Sequence, residues 1–312
     1  MSRGRATAAL AALLIALLSG CGGSGGSKTT GATTGQGGPG PEITIGTKNF
    51  PEQFILGELY KQSLEAKGFR VRLKSDIGSS EIVDRALIAG SLDMYPEYIG
   101  VALSELAGRT KRPHSVGEAY REAKSFEEGR GFTLLAITPF SDQNALAVLP
   151  AYAKRHGLRS IADLRGVAGG VVIAAPPEFL TRFEGLVGLR QLYGLTRVKV
   201  KQLKIGDQYG ALDKHMADAA NVFTTDGQLE KGRYVLLRDP RNLFTFQNVA
   251  PVIRRDLLRK NPALRPAIDA VSSKLTTKAM RAMNADVVQR GQKPAAVAAR
   301  FLRQVGLMSG PG

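Results

Sequence analysis

Residue types that build many catalytic and metal sites are scarce in this chain of 312 residues. It has one Cys, three His and no Trp, and aromatic residues make up only 6% of it. So few Cys and His residues exclude a zinc ribbon, an iron–sulfur site and a disulfide framework. The chain also has no P-loop, H-E-x-x-H, G-x-S-x-G or strand-linked G-x-G-x-x-G motif. We therefore predict no catalytic residues, no metal and no cofactor.

Positive charge is abundant, since 43 Lys and Arg outnumber 27 Asp and Glu and give a formal net charge of +16. These residues are dispersed along predicted helices and strands, without interleaved aromatics or a helix-turn-helix. Nucleic acid is therefore not an expected partner. The apolar fraction of 43% is that of an ordinary globular protein.

The N-terminus carries an export signal. Two Arg precede an apolar run over residues 10–18, which is too short to span a bilayer of roughly 30 Å. Leu18-Ser19-Gly20-Cys21 resembles the lipobox of bacterial lipoproteins, in which the Cys carries the lipid. We predict a lipoprotein signal peptide at 1–20, lipidation at Cys21 and attachment to the extracytoplasmic face of the cell membrane. The alternative is an ordinary signal peptide with an incidental Cys.

The segment after this Cys is rich in Gly, Ser and Thr. Residues 22–41 contain nine Gly and almost no large apolar side chains. Such a composition cannot bury enough surface to offset its ordering entropy, so we predict a flexible tether at 21–41. A tether of this kind would hold a folded body near a membrane partner.

Strands and helices alternate from Glu42 onward, which predicts the α/β class with largely parallel sheets. The first part predicts strands at 43–46, 69–73 and 92–94 and helices at 51–67, 79–90 and 96–106. After residue 131, strands are predicted at 132–137, 144–148, 171–174, 198–200, 221–223 and 234–237, with helices ending near 157 and spanning 181–193 and 209–216. Three C-terminal helices, near 262–273, 277–287 and 293–305, are expected to return to the first half.

Polar and aromatic residues share several turns between a strand and a helix. They lie at 47–50, 78–80, 94–98 and 223–227. Ligands of open α/β sheets bind beyond the carboxyl ends of strands, where helix amides point outward. These turns are therefore candidate ligand contacts, although helix caps beside core aromatics would give the same pattern.

Several of these segments resemble one family. The run from Ile43 to Gln53 resembles "IGSKNFTEQ", and Asp93 to Leu103 resembles "DLYPEYTGTAL". The run from Ala175 to Leu189 resembles "PPEF-x-TR-x-x-G-x-x-GL", and Phe223 to Gly227 resembles "Y/F-[ST]-[ST]-D-G". These motifs are typical of OpuAC/OsmF-like substrate-binding proteins of osmoprotectant ABC transporters, and the resemblance extends from residue 43 to about 307.

The resemblance implies a two-lobed periplasmic-binding-protein fold of type II, with two chain crossovers forming a hinge. The crossovers are expected near 138–143 and 236–246. Lobe 1 is then predicted at 42–140 plus 241–312, and lobe 2 at 141–240.

Ligand contacts are implied by the same resemblance. Tyr98 and Phe223 would lie near the aromatic cage, and Asp226 close to the solute cation. The chain has Gln247-Asn248 where many betaine and choline binders have Tyr-Asp, which favours a more polar solute. The predicted ligand-binding residues are Lys48, Asn49, Phe50, Ser79, Tyr98, Phe179, Arg182, Phe223, Thr224, Asp226, Gln247 and Asn248. Alternatively, Gln247 and Asn248 are hinge residues without ligand contact.

The predicted function is that of a lipid-anchored, monomeric solute receptor. It would deliver glycine betaine, choline or a related quaternary amine to the permease subunits of an ABC importer. One alternative is the same fold binding a more polar solute, such as an amino acid or another betaine-like compound. A second alternative is an exported α/β enzyme, which would need a nucleophile–base pair or a metal site. A sensor domain is a third.

Overall fold

The computed structural model of the protein describes residues 42–309. The predicted signal peptide, the tether and Cys21 lie outside this range. The strands are β1 (Ile43–Gly46), β2 (Val71–Lys74), β3 (Met94–Tyr98), β4 (Phe132–Leu134), β5 (Asn144–Val148), β6 (Val171–Ala175), β7 (Val198–Gln202), β8 (Ala219–Phe223), β9 (Val235–Leu237) and β10 (Val249–Arg254).

The α-helices follow the predicted alternation and then cluster at the C-terminal end. They are α1 (Pro51–Glu65), α2 (Ser80–Ile88), α3 (Ile99–Val101), α4 (Val116–Gly129), α5 (Pro150–His156), α6 (Gly188–Tyr193), α7 (Asp207–Asp213), α8 (Arg255–Lys260), α9 (Leu264–Ser272), α10 (Thr277–Val288) and α11 (Pro294–Gln304). No helix within residues 42–309 has the length and apolar character needed to cross a membrane.

The strands form two five-stranded sheets with the same plan. The first has the order β2-β1-β3-β10-β4 and the second β7-β6-β8-β5-β9. In each sheet one strand, β10 or β5, runs antiparallel to both of its neighbours. The prediction of α/β lobes with largely parallel sheets is therefore confirmed. We call the body around the first sheet lobe 1 and the body around the second sheet lobe 2.

The chain passes between the sheets twice, from β4 to β5 and from β9 to β10. These two crossover segments bond to each other. Ser141 and Asn248 form an antiparallel bridge, and the Asp142 N–H donates to Gln247 O at 2.9 Å. A paired double crossover of this kind forms a hinge with few rotatable points. The lobe boundaries at 140 and 240 stay a prediction.

Each lobe has its own apolar core. In lobe 1, α1 packs against the C-terminal helices, with Leu56, Leu64, Val271 and Phe301 in one buried cluster. Lobe 2 is centred on Leu146, Ile173 and Leu189. Separate cores let the two lobes move as rigid bodies about the hinge.

The third helix begins later than predicted. Pro96-Glu97 lies inside β3, and the helix starts at Ile99. Pro96 faces Pro251 of β10. Ile99, three positions after Pro96, forms a hydrogen-bonded pair with Asn248, since its N–H donates to Asn248 O. Hydrogen-bonded and non-hydrogen-bonded pairs alternate in an antiparallel ladder, so Pro96 and Pro251 form a non-hydrogen-bonded pair. Neither residue has to donate an N–H to the other strand at this position. The helix-start interpretation of Pro96 was wrong for that reason.

The predicted helix at 181–193 is also wrong as a continuous element. Short helical turns at Pro177–Leu180 and Phe183–Val187 precede α6, and Gly185 is extended with φ −151° and ψ −139°. A Cβ on Gly185 would lie 2.2 Å from Phe179 O. Close backbone packing therefore interrupts the helix. Sequence analysis also assigned no element to α4, α8 or β10.

Candidate functional site

A cavity enclosing about 640 Å³, part of its mouth included, lies between the two sheets. Residues of both lobes and of both crossovers line it. Nine predicted ligand-binding residues are in its wall, namely Lys48, Asn49, Phe50, Ser79, Tyr98, Phe179, Arg182, Phe223 and Gln247. The wall also contains Ser80, from the candidate turn at 78–80, and eight residues that sequence analysis missed, which are Val101, Asp142, Asn144, Pro176, Glu178, Glu184, Ile205 and Asn221.

Three aromatic rings from three segments stack along one wall. Phe50, just before α1, lies with its ring centroid 6.2 Å from that of Tyr98 and 6.1 Å from that of Phe223. The ring planes differ by 22° and 7°. Tyr98 ends β3 in lobe 1 and Phe223 ends β8 in lobe 2, so the stack joins the lobes. Near-parallel π faces attract a cation that is placed over them.

Lys48 already occupies the face of one ring. Its ammonium lies 4.2 Å from the Tyr98 ring centroid, donates to Ser80 Oγ at 3.0 Å and forms an ion pair with Glu97. The residue is only 3% exposed. Burial lowers the pKa of Lys48, and the neighbouring Glu97 carboxylate opposes that shift. The loop after β1 thus brings a buried positive charge to the cavity wall.

Arg182 provides the second positive charge and reaches across the cleft. Its Nη2 lies 3.1 Å from both carboxylate oxygens of Glu81 on α2. Nε is buried and has no hydrogen-bond partner among residues 42–309. Glu105 Oε2 lies 4.0 Å from this nitrogen, too far for a hydrogen bond. Arg182 is in lobe 2 and Glu81 in lobe 1, so their ion pair holds the lobes together.

A buried acidic group lies beside the aromatic stack. Asp142, in the first crossover, lines the cavity and is 4% exposed. Its Oδ1 accepts from the Thr225 N–H at 3.2 Å and lies 2.5 Å from Thr225 Oγ1. Glu52 of α1 bonds to the same hydroxyl and also accepts from Tyr98 OH at 2.9 Å. This cluster links lobe 1, lobe 2 and the hinge.

A chain of polar side chains forms another part of the wall. Glu184 accepts from Gln247 Nε2 at 2.8 Å and from Asn144 Nδ2 at 3.3 Å, and Asn221 Nδ2 donates to Asn144 Oδ1 at 3.0 Å. Gln247 packs so closely on Gly100 that a Cβ there would lie 2.5 Å from Nε2. The broken helix before α6 is what turns Glu184 toward this chain.

Three predicted ligand contacts lie outside the cavity wall. Thr224 Oγ1 bonds to Gln143 N and Ser141 O of the first crossover. The Asn248 amide donates to two backbone carbonyls, those of Thr138 and Phe140. Both side chains therefore brace the hinge.

The third of these residues, Asp226, lines an adjoining pocket that shares Phe50, Phe223 and Asp142 with the cavity. It accepts from Tyr209 OH at 2.7 Å and from the Phe223 N–H at 3.0 Å. Burial raises its pKa to about 6. Its carboxylate thus fixes the backbone of Phe223 rather than lining the wall.

The missed residues carry a weak sequence signal. Ser141-Asp142-Gln143-Asn144 is a polar run between two apolar strands, which is unusual for a buried segment. Its partners are distant in the chain, so periodicity does not reveal them. Among residues 42–309, no group of three or more His, Cys, Asp or Glu is arranged to hold a metal ion.

Comparisons with known proteins agree on one family. Residues 41–304 match the family model for the substrate-binding domain of the ABC-type glycine betaine transport system. A glycine-betaine-binding protein of Pseudomonas aeruginosa is 32% identical over 277 residues, which covers 85% of this chain and 88% of the relative.

A second relative is named for a different solute. The ergothioneine transport permease/ergothioneine binding protein of Helicobacter pylori is 26% identical over 267 residues, covering 85% of this chain and 48% of the relative. A crystal structure of a glycine betaine/carnitine/choline ABC transporter matches with a TM-score of 0.70 and 23% identity, over 86% of this chain and all of the other. That structural likeness shows the fold.

Proposed function

The chain belongs to the family of substrate-binding domains of ABC-type glycine betaine transport systems, and we propose from this premise which solute it binds and how it delivers that solute. It has the two-lobed type II fold of that family and is not an enzyme. The solute is a small zwitterion with a quaternary ammonium at one end and a carboxylate at the other, such as glycine betaine or carnitine. The protein acts as a monomeric lipoprotein at the extracytoplasmic face and hands this solute to the permease of its importer.

The observation that carries this proposal is the stack of Phe50, Tyr98 and Phe223 beside a buried acid. A quaternary ammonium has no N–H to donate, so it binds through aromatic faces and nearby negative charge. The three rings line one cavity together with Asp142. We therefore place the ammonium against Phe50 and Phe223, because Lys48 already covers a face of Tyr98.

Two basic side chains in the same cavity wall suit a carboxylate. Lys48 and Arg182 both line the cavity, and the buried Nε of Arg182 makes no hydrogen bond among the described residues, its nearest ion-pair partner being Glu105 Oε2 at 4.0 Å. Charge-assisted hydrogen bonds from an ammonium and a guanidinium are the strongest that protein side chains give a carboxylate. Asn49 and Ser79 add polar contacts in the same wall.

A more polar betaine is the second candidate. One part of the wall is polar, unlike a cage made only of aromatic rings. It consists of the hydrogen-bonded side chains of Glu184, Asn144, Asn221 and Gln247. A solute with its own ring N–H or hydroxyl would exchange hydrogen bonds with that wall. The Helicobacter pylori relative, named for ergothioneine, is the comparison that supports such a solute.

A thermal-shift screen of the purified chain separates the two candidates. Glycine betaine, carnitine, choline, ergothioneine, ectoine and several amino acids are tested at equal concentration. Binding to the folded state raises the melting temperature by mass action. We expect glycine betaine or carnitine to give the largest shift, whereas a larger shift with ergothioneine, which also has a quaternary nitrogen and a carboxylate, would select the more polar betaine. A larger shift with amino acids that lack a quaternary nitrogen would reject the proposal.

Solute binding is expected to close the cleft. The Arg182–Glu81 ion pair and the Glu52–Thr225 hydrogen bond span the lobes, and an open form must lose them. A solute that contacts both lobes shifts the population toward the closed form. Small-angle scattering should give a smaller radius of gyration at saturating solute. An unchanged radius of gyration with a solute whose binding has been measured would contradict closure.

The two lobes that move are proposed to be residues 42–140 with 241–312, and residues 141–240.

The anchor makes a separate prediction. If Cys21 carries the lipid, Cys21→Ala removes the acceptor thiol. We expect the variant to leave the membrane fraction or to accumulate as unprocessed precursor, whereas the parent sediments with membranes. Fractionation with detection of the chain by antibody measures both outcomes. Ser19→Thr, beside the site, is the matched control and should stay attached. Membrane attachment of Cys21→Ala equal to the parent would exclude lipidation at this residue.

A further inference from the structure

One hydroxyl lies between two buried carboxyl groups where the lobes meet the hinge. Thr225, which follows β8, has its Oγ1 2.5 Å from Asp142 Oδ1 and within hydrogen-bonding distance of Glu52 Oε2. Glu52 is on α1 of lobe 1, and Asp142 is in the first crossover. All three residues are at most 4% exposed.

This arrangement fixes the number of protons. A threonine hydroxyl has one hydrogen, so it donates to only one of the two carboxyl groups. The second carboxyl group must then donate its own proton to the hydroxyl oxygen, because an ionised carboxylate oxygen and a hydroxyl oxygen repel at hydrogen-bonding distance when no hydrogen lies between them. Two ionised carboxylates sharing a dry site are also strongly disfavoured. One carboxyl group of the pair is therefore protonated.

Surrounding groups decide which one holds the proton. Glu52 accepts from Tyr98 OH, from Asn284 Nδ2 at 2.8 Å and from the Thr225 hydroxyl, and it feels the positive charge of Lys48. These contacts favour the charged form of Glu52, against the burial that raises its pKa.

Asp142 has a less favourable environment for charge. With the Thr225 hydroxyl donating to Glu52, Asp142 accepts only the Thr225 N–H among the described residues, and Glu52 and Asp226 face it from lobe 1 and lobe 2. The phenols of Tyr98 and Tyr209 are the other titratable groups near it. Burial, followed by the charges of Glu52 and Asp226, raises the pKa of Asp142 well above its usual range. The proton therefore belongs to Asp142.

We propose that Asp142 is a neutral acid in the solute-free protein and that the cationic group of the solute, on binding beside it, displaces this proton to solvent. The inference rests on the proposed function, because it requires a positively charged solute. The Asp142 O–H bond breaks, the carboxylate pairs with the cation, and the proton passes to buffer. Asp142 thereby selects a charged ligand over a neutral one of the same shape.

Proton release fixes the sign of the pH dependence. A site that loses a proton on binding binds more tightly as pH rises, by up to about ten-fold per pH unit below the pKa of Asp142 in the free protein. Above that pKa the acid is already ionised and the dependence vanishes. Lys48, whose pKa burial lowers, would give the opposite slope if a solute carboxylate recharged it.

A pair of isosteric ligands isolates the cation. Glycine betaine and 3,3-dimethylbutanoate have the same shape and the same carboxylate, but only the first has a quaternary nitrogen. Calorimetric titration in phosphate and in Tris at one pH gives the number of protons exchanged. We expect release of about one proton with glycine betaine and none with 3,3-dimethylbutanoate. Glycine betaine binding without proton release overturns the proposal and leaves the proposed function intact.

Three variants assign the proton to its residue. Asp142→Asn cannot ionise, so proton release and the rise of affinity with pH should both vanish. Glu52→Gln removes one of the facing negative charges and should reduce release, even if Asp142→Asn folds poorly. Glu127→Gln is the matched control, since burial raises the pKa of Glu127 to about 8 although it is on α4, outside the cavity. Unchanged release in Asp142→Asn would refute the assignment.

A measurement without ligand separates this inference from the proposed function. Infrared spectroscopy resolves the carbonyl stretch of a protonated carboxylic acid. We expect the solute-free protein at neutral pH to show a band that Asp142→Asn lacks and Glu127→Gln retains. The absence of a band assigned to Asp142 overturns the proposal whichever solute binds. Its presence supports the protonated acid, even if the thermal-shift screen rejects quaternary amines.

Discussion

Phe223→Ala is expected to weaken binding of glycine betaine by about ten-fold or more. The Phe223 ring centroid lies 6.1 Å from that of Phe50 with the rings near-parallel, and the residue is partly buried in the cavity wall. A cation over the face of such a ring gains roughly 1 to 2 kcal/mol, and about 1.4 kcal/mol is a factor of ten in affinity. Phe223→Tyr keeps the ring and should bind within about three-fold of the parent, as measured by calorimetry.

Phe223 is the cleanest of the three rings to change. Tyr98 also bonds to Glu52 and lies under Lys48, so Tyr98→Ala should lose stability as well as affinity. Tyr152→Ala is a matched control, because Tyr152 is a partly buried aromatic residue of α5 whose ring contacts His156, outside the cavity wall. Melting curves without solute detect any folding defect.

One result would contradict the proposed contact between the solute cation and the aromatic rings. If Phe223→Ala and Tyr98→Ala both bind betaines like the parent, the cation does not rest on these rings. Asn49 and Gln247 then become the better contacts, together with Asn144. That result would favour the more polar solute.

Local signals in the sequence predicted the frame around the site. Pro51 at the start of α1 and Gly68 with φ 85° after it bound a helix that the apolar spacing already indicated. The turn over residues 47–50 was expected to carry ligand contacts, and the structure places Lys48, Asn49 and Phe50 in the cavity wall. Strand ends and helix starts are local features, so sequence captures them.

Errors arose where a distant segment overrides the local preference. Pro96 has the usual signature of a helix start, but it faces Pro251 across the sheet, and that pairing involves a strand 155 positions later. Gly185 lies in an apolar helical pattern that close packing on Phe179 O interrupts. Neither contact leaves a trace in its own sequence neighbourhood.

The charged part of the cavity was the least predictable. Glu184 and Asp142 acquire their role through Gln247 and Thr225, which are 63 and 83 positions away. Burial of an acid costs free energy unless partners compensate, so such positions are functional candidates once the fold is known. Asp226 was the acid chosen from sequence, and it lines an adjoining pocket that shares Phe50, Phe223 and Asp142 with the cavity, whereas Asp142 lines both.

Arg182→Gln is expected to separate solutes that carry a carboxylate from solutes that do not. Hydrogen bonds to charged groups contribute about 1.5 to 3 kcal/mol, so glycine betaine should lose roughly ten- to one-hundred-fold in affinity. Choline has the same quaternary nitrogen and no carboxylate, and its affinity should change by less than about three-fold. Calorimetry with both solutes on one preparation measures the difference.

A second role of Arg182 needs its own control, because its guanidinium also bonds to Glu81 across the cleft. Glu81→Gln weakens that bridge between the lobes and keeps Arg182 in the wall. If Arg182 acts only by closing the cleft, both variants weaken glycine betaine and choline by the same factor. If it binds the carboxylate, Arg182→Gln penalises glycine betaine selectively and Glu81→Gln does not, since freeing the guanidinium from its ion pair leaves it available to the solute. Equal losses for the two solutes in Arg182→Gln would remove Arg182 from the contacts of the solute and leave Lys48 as the cation that holds its carboxylate.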